Sequence, residues 1–142
     1  MSFIHEKTIV ISEAHLDSFG HVNNARYLEL LEMARWDLIT ERGFGIEKIR
    51  ASHTGPTILE INLRFMRELS ARDAVVIRTE LMSYDRKVGK LRQQMIKADG
   101  AVACEAIFTI GLFDLDTRRL VAPTPAWAFA VGLDPLPDPP RG

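Results

Sequence analysis

The sequence contains a single cysteine, so no internal disulfide can form. Cys104 stands in the apolar run AVACEAIFTIGLF, which favours a small buried hydrophobe over a reactive nucleophile. No stretch approaches the ~20 apolar residues that a membrane-spanning helix needs. The N-terminus has no basic segment followed by an apolar one, so no secretory signal is predicted. A cytoplasmic protein is therefore the expectation.

Net charge is also nearly absent, because 18 Lys and Arg residues stand against 19 Asp and Glu. The chain thus lacks the general basic field that nucleic-acid binding requires. A length of 142 residues falls in the single-domain range. We therefore predict one domain over residues 1–133. The proline-dense segment DPLPDPPRG, residues 134–142, is predicted to be an extended tail.

Hydrophobic periodicity predicts one long helix, from about Asn24 to Arg42. Gly43 is a natural left-handed stop just past its last turn. Three further apolar residues broaden the apolar surface and suggest a helix covered on more than one side: Leu28, Met33 and Trp36. The predicted core face repeats at three- and four-residue steps and comprises Tyr27, Leu30, Leu31, Ala34, Leu38 and Ile39.

The rest of the chain is typical of β-structure. Residues 3–11 are rich in strand formers, TILEINLRFM alternates apolar and polar residues, and the pattern recurs over residues 75–81. Gly89 is the predicted bend in the polar connection SYDRKVGK, and the pair Asp-Gly at 99–100 predicts a hairpin. The last long run, from residue 101, is apolar on both faces and predicts a central strand. The order indicates an α+β fold with a strongly bent antiparallel sheet round the helix.

The loop HLDSFGHVNN before the helix carries more polar residues than a cap requires. Asn23 and Asn24 each suit the capping position, so Asp17 needs another explanation. Gly20 lets the backbone fold back and bring this carboxylate towards the first turn of the helix. A carboxylate beside unpaired helix N–H groups can attack an ester or thioester, or activate water, while an N–H steadies the oxyanion. The same cleft could instead hold an anion without reaction.

Other candidate groups are less marked. His21 suits either a structural hydrogen bond or proton transfer, and the four histidines show no metal-ligand spacing. No phosphate-binding Gly-Lys-Ser/Thr loop and no G-x-S-x-G nucleophile motif occurs. Arg86, Lys87 and Lys90 cluster round Gly89, where a loop could meet the phosphates of a nucleotide carrier. Each also suits a solvated surface.

The segment D-S-F-G-H-V-N-N-A-R-Y-L-E-L-L-E-M-A-R-W-D, beginning at Asp17, resembles acyl-CoA thioesterases of the hotdog superfamily. The resemblance is to the 4-hydroxybenzoyl-CoA thioesterase-like branch, nearest to its bacterial long-chain acyl-CoA thioesterases. It implies a hotdog fold, in which a curved antiparallel sheet of about five strands wraps round one long helix. It also implies a homodimer or homotetramer with active sites at the subunit interface.

The resemblance further implies hydrolysis of an acyl-CoA to a free acid and CoA, with no metal and no cofactor beyond the CoA of the substrate. Asp17 would be the catalytic carboxylate, as nucleophile or general base, and the N–H of Asn24 would polarise the thioester carbonyl. Some relatives carry Tyr or His at the position of Asn24, and His21 is the candidate to compensate. We expect the acyl chain to lie against Tyr27, Leu31 and Met33 of the long helix and against residues of a partner subunit, with Asn23 as a further substrate contact. The resemblance makes Arg86, Lys87 and Lys90 candidates for binding the phosphates.

Two alternatives to hydrolysis remain. A non-catalytic hotdog module could bind acyl or CoA groups as a sensor or carrier. A hydratase or dehydratase would need a paired acid and base across a double bond. Asp17 and His21 could supply that pair, although the fuller motif of that family is missing.

Overall fold

The computed structural model describes residues 3–133, so the predicted tail at 134–142 lies outside the described residues. Six strands, three α-helices and one short 3-10 turn follow one another along the chain. They are β1 (Ile4–Val10), the 3-10 turn (Glu13–His15), α1 (Asn24–Glu41), α2 (Ile46–Ser52), β2 (Thr54–Phe65), β3 (Ala74–Asp85), β4 (Val88–Lys97), β5 (Val102–Asp114), β6 (Arg119–Val121) and α3 (Pro125–Val131). None of these helices is long and apolar enough to cross a membrane.

The strands form one antiparallel sheet in the order β1-β3-β4-β5-β2, with the short β6 also paired to β5. This confirms the α+β prediction and the central position of the last long apolar run. The hairpin predicted at Asp99 and Gly100 is also confirmed, because Gly100 has a φ of +89° and Asp99 Oδ1 accepts the Ala101 N–H. β2 pairs only with β5 in the described chain, so its other edge is free.

Helix α1 packs against this curved sheet through the predicted face. Its six buried residues are Tyr27, Leu30, Leu31, Ala34, Leu38 and Ile39, as the periodicity predicts. The buried amide of Gln93 in β4 donates to the Leu31 carbonyl and to Thr79 Oγ1, both at 3.0 Å, and so fixes the helix to the sheet. Gly43, with a φ of +88°, follows the end of the helix as predicted.

Two short helices are missing from the sequence prediction. The segment after Gly43 contains α2, and α3 follows β6. Each has only 7 residues, too few for a 3.6-residue period to stand out. In α3, Trp127 and three neighbours are buried, so packing rather than intrinsic propensity stabilises that helix.

The predicted bend at Gly89 is wrong. The chain turns at residues 86 and 87, where Arg86 has a φ of +57°, and Gly89 lies inside β4 opposite Tyr84. A Cβ atom at Gly89 would lie 2.6 Å from the Tyr84 ring, so this glycine provides room for a cross-strand aromatic side chain. A close approach of this kind cannot be distinguished from a bend in a single sequence.

The free edge of the sheet and the outer side of α1 expose apolar side chains. Met33 is 58% exposed and Leu28 36%. The sequence predicts a helix that is covered on more than one side, but a single chain leaves this second side open. Five residues at β2 are 38% to 49% exposed: Ile58, Leu59, Ile61, Phe65 and Met66. Apolar exposure along an unpaired strand edge is typical of an interaction surface.

Candidate active site at the start of the long helix

Asp17 lies in a tight loop that folds back on itself. Its N–H donates to the His21 carbonyl at 2.8 Å, and its own carbonyl accepts the Gly20 N–H at 3.1 Å. Gly20 has a φ of +82°, a left-handed conformation that glycine adopts without strain. Leu16 and Val22 form a β-bridge that closes the base of the loop. The loop therefore folds back at Gly20, as predicted.

The two oxygens of the Asp17 carboxylate have different environments. Oδ1 accepts the backbone N–H groups of Phe19, at 2.9 Å, and of His21, at 3.3 Å. Among residues 3–133, no hydrogen-bond donor contacts Oδ2. One oxygen therefore fixes the orientation of the side chain, and the other stays available to a substrate or a water molecule.

The first turn of α1 divides the roles of the two asparagines. Asn23 is the N-cap, and its side-chain oxygen accepts the Ala25 N–H at 2.8 Å. Asn24 is the first helical residue, and its N–H has no hydrogen-bond partner among the described residues. Such an N–H at a helix start carries partial positive charge and is suited to a developing oxyanion.

Both groups line one open cleft of about 390 Å³. One wall is the loop and the start of α1, and the other is the end of β2 with the residues that follow it. The cleft is lined by Asp17, His21, Val22, Asn24, Tyr27, Phe65, Met66, Arg67 and Glu68. Asp17, with one carboxylate oxygen that has no partner among residues 3–133, and Asn24, with an N–H that has none, therefore line the same open cleft.

Two further predicted site residues lie in this cleft. Tyr27 is 5% exposed, its ring packs edge-on against Phe65 at 5.0 Å between centroids, and burial raises the pKa of its phenol. His21 points its Nε2 to Glu68 Oε2, 3.2 Å away, and not to the carboxylate of Asp17. The side chain of His21 therefore braces the loop against the second wall, while its backbone groups hold Asp17.

The remaining predicted contacts lie elsewhere in the single chain. Asn23 caps the helix, and Leu31 has no exposed surface, so it is better explained as a core residue. Arg86, Lys87 and Lys90 lie at the end of the sheet where Gly89 faces Ile110, whereas the cleft lies where Phe65 faces Cys104. These ends are six residues apart along β5, so the basic cluster is about 20 Å from the cleft.

The sequence reading missed the second wall of the cleft. The alternation in TILEINLRFM predicts only a strand for Phe65 and Met66 and assigns no role to Arg67. Their one distinguishing signal is a pair of exposed apolar residues followed by an Arg-Glu pair just beyond a strand end. This signal indicates a site wall only in the folded structure, where a hydrogen bond from the Val22 N–H to the Leu69 carbonyl joins the segment to the loop.

Cys104 is fully buried, which confirms the prediction of a small hydrophobe. Burial raises the pKa of its thiol to about 12, so the nucleophilic thiolate is scarce at neutral pH. Within the part of the chain that the structure describes, no three His, Cys, Asp or Glu side chains group as metal ligands. The polar side chains that line the cleft are those of Asp17, His21, Asn24, Tyr27, Arg67 and Glu68.

A second, smaller cavity of about 120 Å³ lies between the other half of α1 and the sheet. Its walls are mostly apolar, with Arg35 and Glu32 as its charged members. It is lined by Glu32, Arg35, Trp36, Leu38, Ile39, Pro56, Ile58, Leu91, Ile110, Trp127 and Val131. It shares no lining residue with the cleft. The cavity borders the first half of β2, whereas the cleft borders the last residue of that strand.

The chain is similar to proteins that are named as thioesterases. The thioesterase-like superfamily matches residues 12–131. Long-chain acyl-CoA thioesterase FadM of Escherichia coli is 35% identical over 109 residues, which cover 76% of this chain and 82% of that enzyme. The structure of the YbaW probable thioesterase of Escherichia coli matches with a TM-score of 0.76 and 32% identity, over 82% of this chain and 88% of the other.

A protein of lower sequence identity has the same fold over the full length of the chain. The Staphylococcus aureus protein SAV2348, solved in complex with CoA, matches with a TM-score of 0.87 at 17% identity, over 100% of this chain and 91% of the other. Identity this low shows the fold alone. The superfamily match and the FadM relative show more: the chain belongs to the thioesterase-like superfamily and has the hotdog fold.

Proposed function

We propose that the protein hydrolyses an acyl-CoA to a free carboxylic acid and CoA. The observation that carries this proposal is that Asp17 and Asn24 line one cleft, and that a carboxylate oxygen of the first and the N–H of the second lack partners among residues 3–133. The relative FadM, a long-chain acyl-CoA thioesterase, supports the choice of an acyl-CoA among possible thioesters.

The chemistry uses the two groups together. The thioester carbonyl oxygen accepts the Asn24 N–H, which stabilises the negative charge that develops on that oxygen as the carbonyl is attacked. Asp17 Oδ2 either takes a proton from an attacking water or attacks the carbonyl itself. In both routes a C–O bond forms, the C–S bond breaks and CoA leaves as a thiolate. When Asp17 itself attacks, the product is an anhydride between Asp17 and the acyl group, and a water molecule then cleaves it to release the acid and regenerate the carboxylate. Because a thiolate needs little protonation to leave, one carboxylate suffices and no further cofactor is required.

We also propose a homodimer, or a tetramer built from it, that pairs two β2 edges. Support comes from the free edge of β2 and from its exposed apolar residues, among them Ile58, Ile61 and Phe65. A two-fold axis through this edge runs the two strands antiparallel. The end of β2 that borders the carboxylate cleft in one subunit then lies beside the half of the partner's β2 that borders the apolar cavity. The cluster of Arg86, Lys87 and Lys90 comes to the same end of the joined sheet as the partner's cleft, where it could meet CoA phosphates.

The dimer predicts a particle of two or four times the 16.0 kDa chain mass in sedimentation velocity at micromolar concentration. Ile61→Lys places a charge in the middle of the paired edge and should dissociate the particle to monomers. Leu115→Lys is the matched control, since Leu115 is 40% exposed but lies beyond the end of β5. A monomeric wild type, or equal dissociation by both variants, would contradict the pairing.

The decisive test of the activity is release of free thiol from a panel of short, long and aromatic acyl-CoAs. The proposal predicts continuous, catalytic release with at least one member of the panel. A non-catalytic acyl or CoA binder would instead bind the panel without releasing thiol. A hydratase is disfavoured because His21 faces Glu68 and forms no acid–base pair with the Asp17 carboxylate. A cytoplasmic location stays a prediction.

A further inference from the structure

The small apolar cavity has the dimensions of a short hydrocarbon segment. At about 120 Å³ it is somewhat smaller than an engineered cavity of about 150 Å³ that binds benzene in another protein. Buried side chains form its inner walls, namely Leu38, Ile39, Leu91, Ile110, Trp127 and Val131. The other lining residues include Ile58, 38% exposed, and Glu32 on the outer side of α1.

One wall of this cavity is the guanidinium of Arg35. It stacks over the Phe108 ring at 4.1 Å, and its Nη1 donates to Gln93 Oε1 at 2.9 Å. No carboxylate forms an ion pair with Arg35 among residues 3–133. Burial lowers its pKa to about 10, which leaves the side chain charged at neutral pH.

Most N–H donors of Arg35 have no protein acceptor among residues 3–133. A guanidinium has five N–H donors, and the bond to Gln93 uses one of them. Gln93 is itself fixed, because its amide nitrogen donates to the Leu31 carbonyl and to Thr79 Oγ1. A half-buried cation beside an apolar cavity, with a neutral partner and spare donors, favours an anionic ligand with planar oxygen geometry.

We propose that this cavity binds a short aliphatic carboxylate, with the carboxylate on Arg35 and the hydrocarbon against Leu38, Ile39 and Trp127. Two sources can supply that chemistry. One is a free carboxylic acid, the product class of the proposed reaction. The other is the distal carboxylate of a dicarboxylic acyl-CoA whose tail enters from the partner's cleft. The second source rests on the proposed function and on the paired β2 edges, whereas the first rests on neither.

Glu32 is the charged group that opposes such a ligand. It is exposed on the same face of α1, it raises the pKa of Arg35 electrostatically, and its Oε1 accepts the Trp36 Nε1–H at 3.4 Å. Its negative charge should repel an entering carboxylate, most strongly at low ionic strength because Glu32 is exposed. Glu32→Gln should therefore strengthen carboxylate binding without disturbing the core, in the opposite direction to a loss of Arg35.

The first arm of the test measures binding of hexanoate and of 1-hexanol to the full chain by isothermal titration calorimetry. We expect hexanoate to bind more tightly than the alcohol, Arg35→Gln to weaken hexanoate about 10-fold or more, and Glu32→Gln to tighten it. Thermal melting checks that each variant is folded. If Arg35→Gln does not fold, the Glu32→Gln comparison decides, because an unchanged hexanoate affinity in that variant contradicts the proposal.

The second arm compares kcat/KM for adipoyl-CoA and hexanoyl-CoA, which differ by one terminal carboxylate. A preference for adipoyl-CoA that Arg35→Gln removes identifies the acyl tail as the source, whereas hexanoate binding without this preference identifies the free acid. Failure of hexanoate binding together with no adipoyl preference overturns the proposal. If no acyl-CoA is hydrolysed, the proposed function fails, and the calorimetric arm still tests the cavity.

Discussion

Replacing Asp17 with Asn is expected to lower kcat for acyl-CoA hydrolysis by about 10²–10⁴-fold while leaving the fold intact. The amide oxygen of Asn can still accept the N–H groups of Phe19 and His21, which now hold Oδ1. The loop should therefore keep its shape. Only the second oxygen changes, from a negatively charged group to an amide that can neither attack a carbonyl nor take a proton from water.

Asp114→Asn is a closely matched control for this experiment. Asp114 Oδ1 also accepts two backbone N–H groups, from Asp116 at 2.8 Å and from Thr117 at 3.0 Å, but in the turn after β5. Both bonds lower the pKa of that carboxyl, and the residue lies outside the cleft. Thiol release that is as fast in Asp17→Asn as in wild type would remove Asp17 from the mechanism. Equal loss in both variants would indicate a change in folding.

The long helix could be predicted in detail because its information is local. Six apolar residues at three- and four-residue steps mark the core face, and Gly43 marks the end. The strands of the sheet could be predicted for the same reason. Near the site, a surplus of polar residues before the helix singled out Asp17, since one of the two asparagines was enough for the cap.

The second wall of the cleft could not be predicted, because it depends on pairing between distant segments. Phe65 approaches Tyr27 through the antiparallel ladder of β2 and β5, and Glu68 meets His21 across a loop. The role of Gly89 likewise depends on Tyr84 in the next strand. A single sequence specifies such contacts only after the strand register is known.

The short helix α3 has no periodic signal, but its buried contacts predict that it is important for stability. Trp127 is 1% exposed, packs edge-on against Phe44 at 5.3 Å between centroids, and donates from Nε1 to the Tyr84 hydroxyl at 3.0 Å. Trp127→Ala should lower the free energy of unfolding by about 3–5 kcal/mol, because it leaves a large cavity beneath α1. Urea denaturation followed by circular dichroism measures the loss.

Two milder variants separate the packing of Trp127 from its hydrogen bond. Trp127→Phe keeps an aromatic ring against Phe44, and Tyr84→Phe keeps every ring but leaves the indole N–H without its acceptor. Tyr84→Phe should cost about 1–3 kcal/mol, the penalty for a buried donor without a partner. If Trp127→Ala lowers the free energy of unfolding by no more than Tyr84→Phe does, the packing of Trp127 in α3 does not stabilise the core. A much larger loss of unfolding free energy in Trp127→Ala means that the packing of this one aromatic side chain stabilises the 7-residue helix α3.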